Sequence, residues 1–123
     1  MQFLIVTSEA APWNAFVEAL AAERIDCRFV DTTAAVLEAV KGDLKPTLVL
    51  WDEAHAGAAL RAAAIEVMMI DARIHQTACS ADDEDVFHEV TEGLGFLPQV
   101  PVTRSADDAR ALLAALRKVD LTL

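Results

Sequence analysis

The stretch Lys45-Pro46-Thr47-Leu48-Val49-Leu50-Trp51-Asp52 decides the fold. Four successive large apolar residues leave no face for water, which is the pattern of a strand covered on both sides, and such strands belong to parallel sheets wrapped by helices. Pro46 closes the segment before the run, since it can neither continue a helix nor donate to a ladder. The run delivers one carboxylate, Asp52, to the C-terminal end of the strand, where open α/β sheets gather their ligand-binding groups. A plainer role stands beside that one. A carboxylate at a strand end can cap the next helix or bond loop amides.

The flanking sequence alternates between strand and helix, as a doubly wound sheet requires. Phe3 to Val6 is a second continuous apolar run. Pro12 stands where a first helical turn tolerates it, and Trp13, Phe16, Val17, Leu20 and Ala21 fall on one helical face. From Ile25 to Val30, Ile25, Cys27 and Phe29 alternate with Asp26 and Arg28, the mark of a strand with a wetter face or an edge position. Thr32 or Thr33 caps a second helix carrying Val36, Leu37 and Val40 and ending near Gly42. Asp82 or Asp83 begins a helix through Glu92, with acids set against its N-terminal dipole. Ser105 and Asp108 form a capping box for a last helix whose buried stripe is Ala109, Leu112, Leu113 and Leu116.

Ala58 to Ile74 reads in two ways. Its Ala, Leu, Met and Arg content suits one long helix, whereas Val67-Met68-Met69-Ile70 followed by Asp71 copies the apolar-run-then-acid form of the third strand. The second reading is adopted: a reduced third helix, then a fourth strand over 67–70. Phe96 to Val102 supplies a fifth strand, placed at an edge by Pro98 and Pro101. The expected architecture is a five-stranded doubly wound parallel sheet in a flavodoxin-like, three-layer α/β sandwich, as a single domain over residues 1–123.

Composition narrows the function. Twenty acids against ten bases give a formal charge of −10, and the bases are scattered, which opposes binding to nucleic-acid phosphates. The apolar runs are only a few residues long, far from the ~20 that cross a bilayer. Met1 to Val6 has no basic leader, so a cytoplasmic protein is expected. Cys27 and Cys79 read as packing thiols. The four glycines form no phosphate-cradling loop, and no serine or cysteine sits in a nucleophile elbow. His75, Cys79 and His88 are weak metal candidates, with no recognised ligand spacing around them.

The chain as a whole resembles the receiver domain of two-component response regulators, the CheY-like family. The likeness rests on Met1-Gln2-Phe3-Leu4-Ile5-Val6-Thr7-Ser8-Glu9, similar to the family's opening strand, on Lys45 to Asp52, similar to the strand that ends in the phosphoacceptor, and on Gly95-Phe96-Leu97-Pro98-Gln99. The resemblance implies a phosphoacceptor role for Asp52, an acidic pair at Thr7 and Ser8, a switch Ser or Thr near Asp71 and a lysine at Gln99. In this chain the acids are hydroxyls, the switch position is an acid and the lysine is an amide. Receiver chemistry needs Mg²⁺, a hard cation that wants several carboxylate oxygens. Asp52 with Glu9 or Glu53 is a sparse set for it.

The expected function is therefore a stand-alone, degenerate receiver-like signalling module, neither an enzyme nor dependent on a cofactor, with Asp52, Thr7, Ser8, Glu9, Asp71 and Gln99 as a vestigial pocket. It acts on a protein partner, with a homodimer as one form of that. Its contact surface is the face of the fourth helix, fifth strand and last helix, which the resemblance implies. The alternative is a small-ligand protein of flavodoxin-like fold that binds a nucleotide, flavin or metal through Thr7, Ser8 and Asp52.

Overall fold

The computed structural model describes residues 1–52 and 58–122. Strands β1 (Gln2–Val6), β2 (Asp26–Val30), β3 (Leu48–Trp51) and β4 (His75–Ala78) form one sheet in the order β2-β1-β3-β4, with every pair parallel. Helices α1 (Asn14–Ala22), α2 (Thr33–Lys41), α3 (Ala58–Ile70), α4 (Glu84–Val90) and α5 (Ala106–Val119) cover it, and a 3₁₀ turn at Ala11–Trp13 leads into α1.

Alternate residues of the apolar strands feed two cores. Phe3, Ile5, Leu48 and Leu50 point to one side, where Trp13, Phe16 and Leu20 meet the α5 stripe of Ala109, Leu112, Leu113 and Leu116. Leu4, Val6, Val49 and Trp51 point to the other, against Val36 and Val40 of α2 and Leu60 and Val67 of α3. All four residues of β3 are fully buried, so the run that predicts a two-sided strand is one. β2 is the edge strand that its alternation predicts, with Asp26 and Arg28 exposed. The caps also form: Thr32 accepts from the Ala35 N–H at 3.1 Å, and Ser105 and Asp108 close a reciprocal box.

The structure corrects three expectations. First, Val67 to Ile70 is not a strand but the last turn of α3, which is 13 residues long and not reduced. Leu60, Ala63, Ala64 and Val67 are buried at helical spacing while Met69 is 83% exposed, so the period is 3.6 and not 2. Second, the fourth strand is His75-Gln76-Thr77-Ala78, a segment polar enough to hide its nature. Its polar groups are satisfied internally. The Gln76 carbonyl accepts from the Trp51 indole N–H at 2.9 Å, its amide donates to the Ala64 carbonyl at 3.1 Å, and the Thr77 hydroxyl bonds the carbonyls of Leu97 and Pro98 at 2.9 Å.

Third, the described residues give four strands and not five. The 96–102 segment runs beside β4, with the N–H groups of Leu97 and Val100 bonded to Gln76 and Ala78, but only Cys79 and Val100 form a bridge. Pro98 and Pro101 supply no N–H, so a continuous ladder cannot form.

Cys27 and Cys79 form no disulfide, Cys79 being buried and Cys27 partly so. Burial, and then the neighbouring charge of Asp26, push the Cys27 thiol up to about 11.

Gln76 is 3% exposed and links β3 to α3 through its two bonds. Gln76→Ala removes the buried bonds to the Trp51 indole and the Ala64 carbonyl together, at a cost of about 1–3 kcal/mol. Urea denaturation should show a lowered midpoint with an unchanged slope.

Candidate functional site

The parallel register of β1 and β3 ends on Val6 opposite Trp51. The next residues, Thr7 and Asp52, therefore leave the sheet side by side, with the Asp52 N–H bonded to the Val6 carbonyl at 2.9 Å and the Thr7 N–H to the Val30 carbonyl at 2.9 Å. Asp52 is 8% exposed. A carboxylate so placed must be met by donors or a counter-charge. The Thr7 hydroxyl donates to Oδ2, the Trp13 indole N–H lies 3.3 Å from the same oxygen, and Arg104 Nη2 approaches Oδ1 at 2.8 Å.

Arg104 reaches this point from the loop that precedes α5. Its guanidinium lies 5.1 Å from the Trp13 ring centroid, within cation–π range, and Nη1 donates to the Val102 carbonyl at 2.8 Å. Its backbone is in the left-handed region, φ 47°, an uncommon conformation for a residue with a Cβ. The strain is tolerated where surrounding contacts over-determine it, and here the ion pair, the ring and the α5 cap immediately after it all do so.

Of the expected pocket residues, the structure joins two. Thr7 and Asp52 are in contact, and Ser8 and Glu9 follow as exposed residues of the same loop, where the Glu9 N–H bonds the Thr7 hydroxyl at 3.2 Å. Gln99 lies apart, its amide donating to the carbonyls of Ser80 and Asp82 at 3.2 and 2.7 Å. Asp71 belongs to the opposite end of the sheet, since it precedes β4. There it pairs with Arg73 at 3.0 Å and Lys45 at 3.1 Å. The hydrogen bonds from Arg73, and next that from Lys45, hold its carboxyl well below the usual carboxylate range. With β4 at 75–78, the residue type expected after the fourth strand is supplied by Ser80, which is buried and accepts from the Asp82 N–H at 3.0 Å. Glu53 lies outside the described residues.

The candidate metal ligands do not converge. His75 opens β4 and Cys79 follows its end, roughly 13 Å apart at strand rise, His75 bonds Asp120 at 2.9 Å, and His88 sits on α4. Among the described residues no three His, Cys, Asp or Glu side chains come together.

Sequence reasoning misses Arg104. The resemblance places a cation at Gln99, where the chain has an amide; a cation reaches Asp52 from five residues further on. The available signal was a base set between a proline-rich segment and a capping box, which fixes its position at the start of α5.

The described residues at Asp52 do not fit Mg²⁺. An octahedral cation needs several free oxygen ligands. Here one carboxylate divides its two oxygens among a guanidinium, a hydroxyl and an indole N–H, and the guanidinium charge opposes a divalent ion.

The four described parallel strands, with helices on both faces and polar groups gathered at their C-terminal ends, define the flavodoxin-like class. Solved structures narrow it to the CheY-like receiver fold. The N-terminal domain of a response regulator/sensory box/GGDEF three-domain protein from Carboxydothermus hydrogenoformans superposes with a TM-score of 0.77 at 19% identity, over 99% of this chain and 98% of that one. The non-phosphorylated receiver domain of the stress response regulator RcsB from Escherichia coli gives 0.72 at 17%, over 98% and 95%. A CheY-like protein from Pseudomonas aeruginosa gives 0.71 at 10%, over 94% and 92%. No protein-family model and no curated protein matches the chain.

Arg104 and Asp52 are both largely withdrawn from water, with side-chain exposures of 16% and 12%. Removing the guanidinium in Arg104→Met takes the counter-charge of Arg104 from a buried carboxylate and is expected to destabilise the protein by about 3–5 kcal/mol. Adding Asp52→Asn should recover part of that loss, and a double-mutant cycle by urea unfolding measures the coupling.

Proposed function

We propose that this chain is a degenerate receiver-like interaction module, in which an internal ion pair occupies the place of phosphotransfer. The observation that carries the reading is the Asp52–Arg104 contact, closed by Thr7 and Trp13. A phosphoacceptor aspartate must present a free oxygen to the donor while a metal neutralises the incoming charge. In this chain Asp52 is already neutralised from within, and Thr7 and Ser8 add no charge with which to gather the metal. The same engagement of Thr7 and Asp52 argues against their use by a nucleotide or flavin.

A module of this kind works by contact and not by catalysis. The surface we assign to it is formed by α4, the 96–102 segment and the start of α5. There Val86 is 42% and Val102 38% exposed beside a row of carboxylates. Apolar patches rimmed by charge suit protein partners. No described helix is long and apolar enough to cross a membrane.

Incubation with Mg²⁺ and acetyl phosphate, followed by intact-mass measurement, should leave the mass unchanged. Stoichiometric addition of a phosphoryl group that disappears in Asp52→Asn would overturn the proposal.

A further inference from the structure

A cleft of about 680 Å³ opens between α4 and the 96–102 segment, on the β4 side of the sheet. Gly93 and Gly95 take φ of 81° and 67°, conformations that glycine adopts without strain, and so turn the chain back sharply after α4. That return sets Phe96 against Phe87, with ring centroids 6.3 Å apart. The apolar lining is Phe87, Phe96, Leu97, Pro98, Pro101 and Val102.

The rim is acidic. Asp82 and Glu84 line the cleft, and the sequence from 82 to 92 holds six acids, Asp82, Asp83, Glu84, Asp85, Glu89 and Glu92, with no Lys or Arg and the single His88. None of the six forms an ion pair with another described residue. Arg61 approaches only the backbone carbonyls of Val90 and Glu92, at the far end of α4. The local field is therefore negative and is not neutralised from within, on a chain whose net charge is −10.

We infer that this cleft binds a short basic-apolar segment of a partner protein, with one aromatic or aliphatic side chain seated over Phe87 and Leu97 and Lys or Arg residues meeting Asp82 and Glu84. The inference rests on the interaction-module reading and names the chemistry of the partner. Charge complementarity selects it. A second copy of this chain would bring the same acidic rim against itself, and like charges oppose that contact. Strand addition is also disfavoured: of residues 97 to 101, two are prolines and two donate their N–H to β4, so the outer edge has too few donors for another strand. The partner is thus read through side chains in the cleft.

A phage-displayed random 12-residue peptide library, selected on the full chain, tests this. The expected result is enrichment of peptides that carry net positive charge and an aromatic or large aliphatic anchor. Fluorescein-labelled copies should bind at least tenfold more weakly to Glu84→Lys and to Val102→Asp, both exposed positions, by fluorescence anisotropy. Asp31→Lys, an equal charge change beside the distant β2 edge, should stay within twofold. Circular dichroism on each variant verifies folding. Enrichment of acidic or uncharged peptides, equal weakening by Asp31→Lys, or no enrichment overturns the inference. So does sedimentation velocity showing a dimer that Glu84→Lys or Val102→Asp dissociates. Failure here leaves the unphosphorylated module standing if the mass with acetyl phosphate is unchanged, whereas Asp52-dependent labelling would remove the reading beneath it.

Discussion

The burial of one carboxylate organises this end of the molecule. Asp52 follows a strand with no exposed residue, so its charge arrives where water cannot solvate it, and an unpaired charge there would be untenable. Three described neighbours meet that constraint. Thr7 supplies a hydroxyl and Trp13 an indole N–H, and the chain returns 52 residues later to bring Arg104. The left-handed backbone at Arg104 and the cap at Ser105 follow from the same need, since the guanidinium must point back over Trp13 while α5 departs in its own direction.

Arginine suits this position in a way that lysine does not. A planar fork with five donors reaches the Asp52 oxygen and the Val102 carbonyl together and still lays its face on an aromatic ring. An ammonium is a compact charge that would satisfy Asp52 and leave the loop at Val102 without its tie. The cation at this site is therefore also a structural staple for residues 101–105. Two of those residues, Pro101 and Val102, wall the cleft against α4, so the ion pair and the proposed contact surface share one loop.

The legible and illegible parts of the fold divide by whether polarity was satisfied locally. β1, β3, α2 and α5 could be read because their apolar periodicity and their caps are properties of neighbouring residues in the chain. β4 could not, because Gln76 and Thr77 look like loop residues until Trp51, Ala64, Leu97 and Pro98 are brought beside them. Val67 to Ile70 misled for the converse reason: a run of four apolar residues fits a buried strand and the final turn of an alanine-rich helix equally well. Only the packing of α3 on α2 and β3 separates them. Within the site, the contact of Thr7 with Asp52 was legible from the strand ends, whereas Arg104 was not, since a pairing across 52 residues leaves no local pattern.

The two ends of the sheet handle charge differently, and the difference bears on function. At the N-terminal strand ends Asp71 meets Lys45 and Arg73, and Asp120 meets His75, pairs that pin loops and the end of α5. Lys45 and Arg73 reach Asp71 from the solvent side, and pairs with so exposed a partner contribute little stability each. At the C-terminal strand ends the Asp52–Arg104 pair has both partners largely withdrawn from water, against an aromatic ring. Opening it to admit a metal or a phosphoryl donor would require separating buried opposite charges before any new bond formed. A fold shared with response-regulator receiver domains thus carries, at the end of β3, a carboxylate held by an internal guanidinium, a hydroxyl and an indole N–H. The acids of the 82–92 segment, which form no ion pair with another described residue, lie beside the cleft and away from that pair.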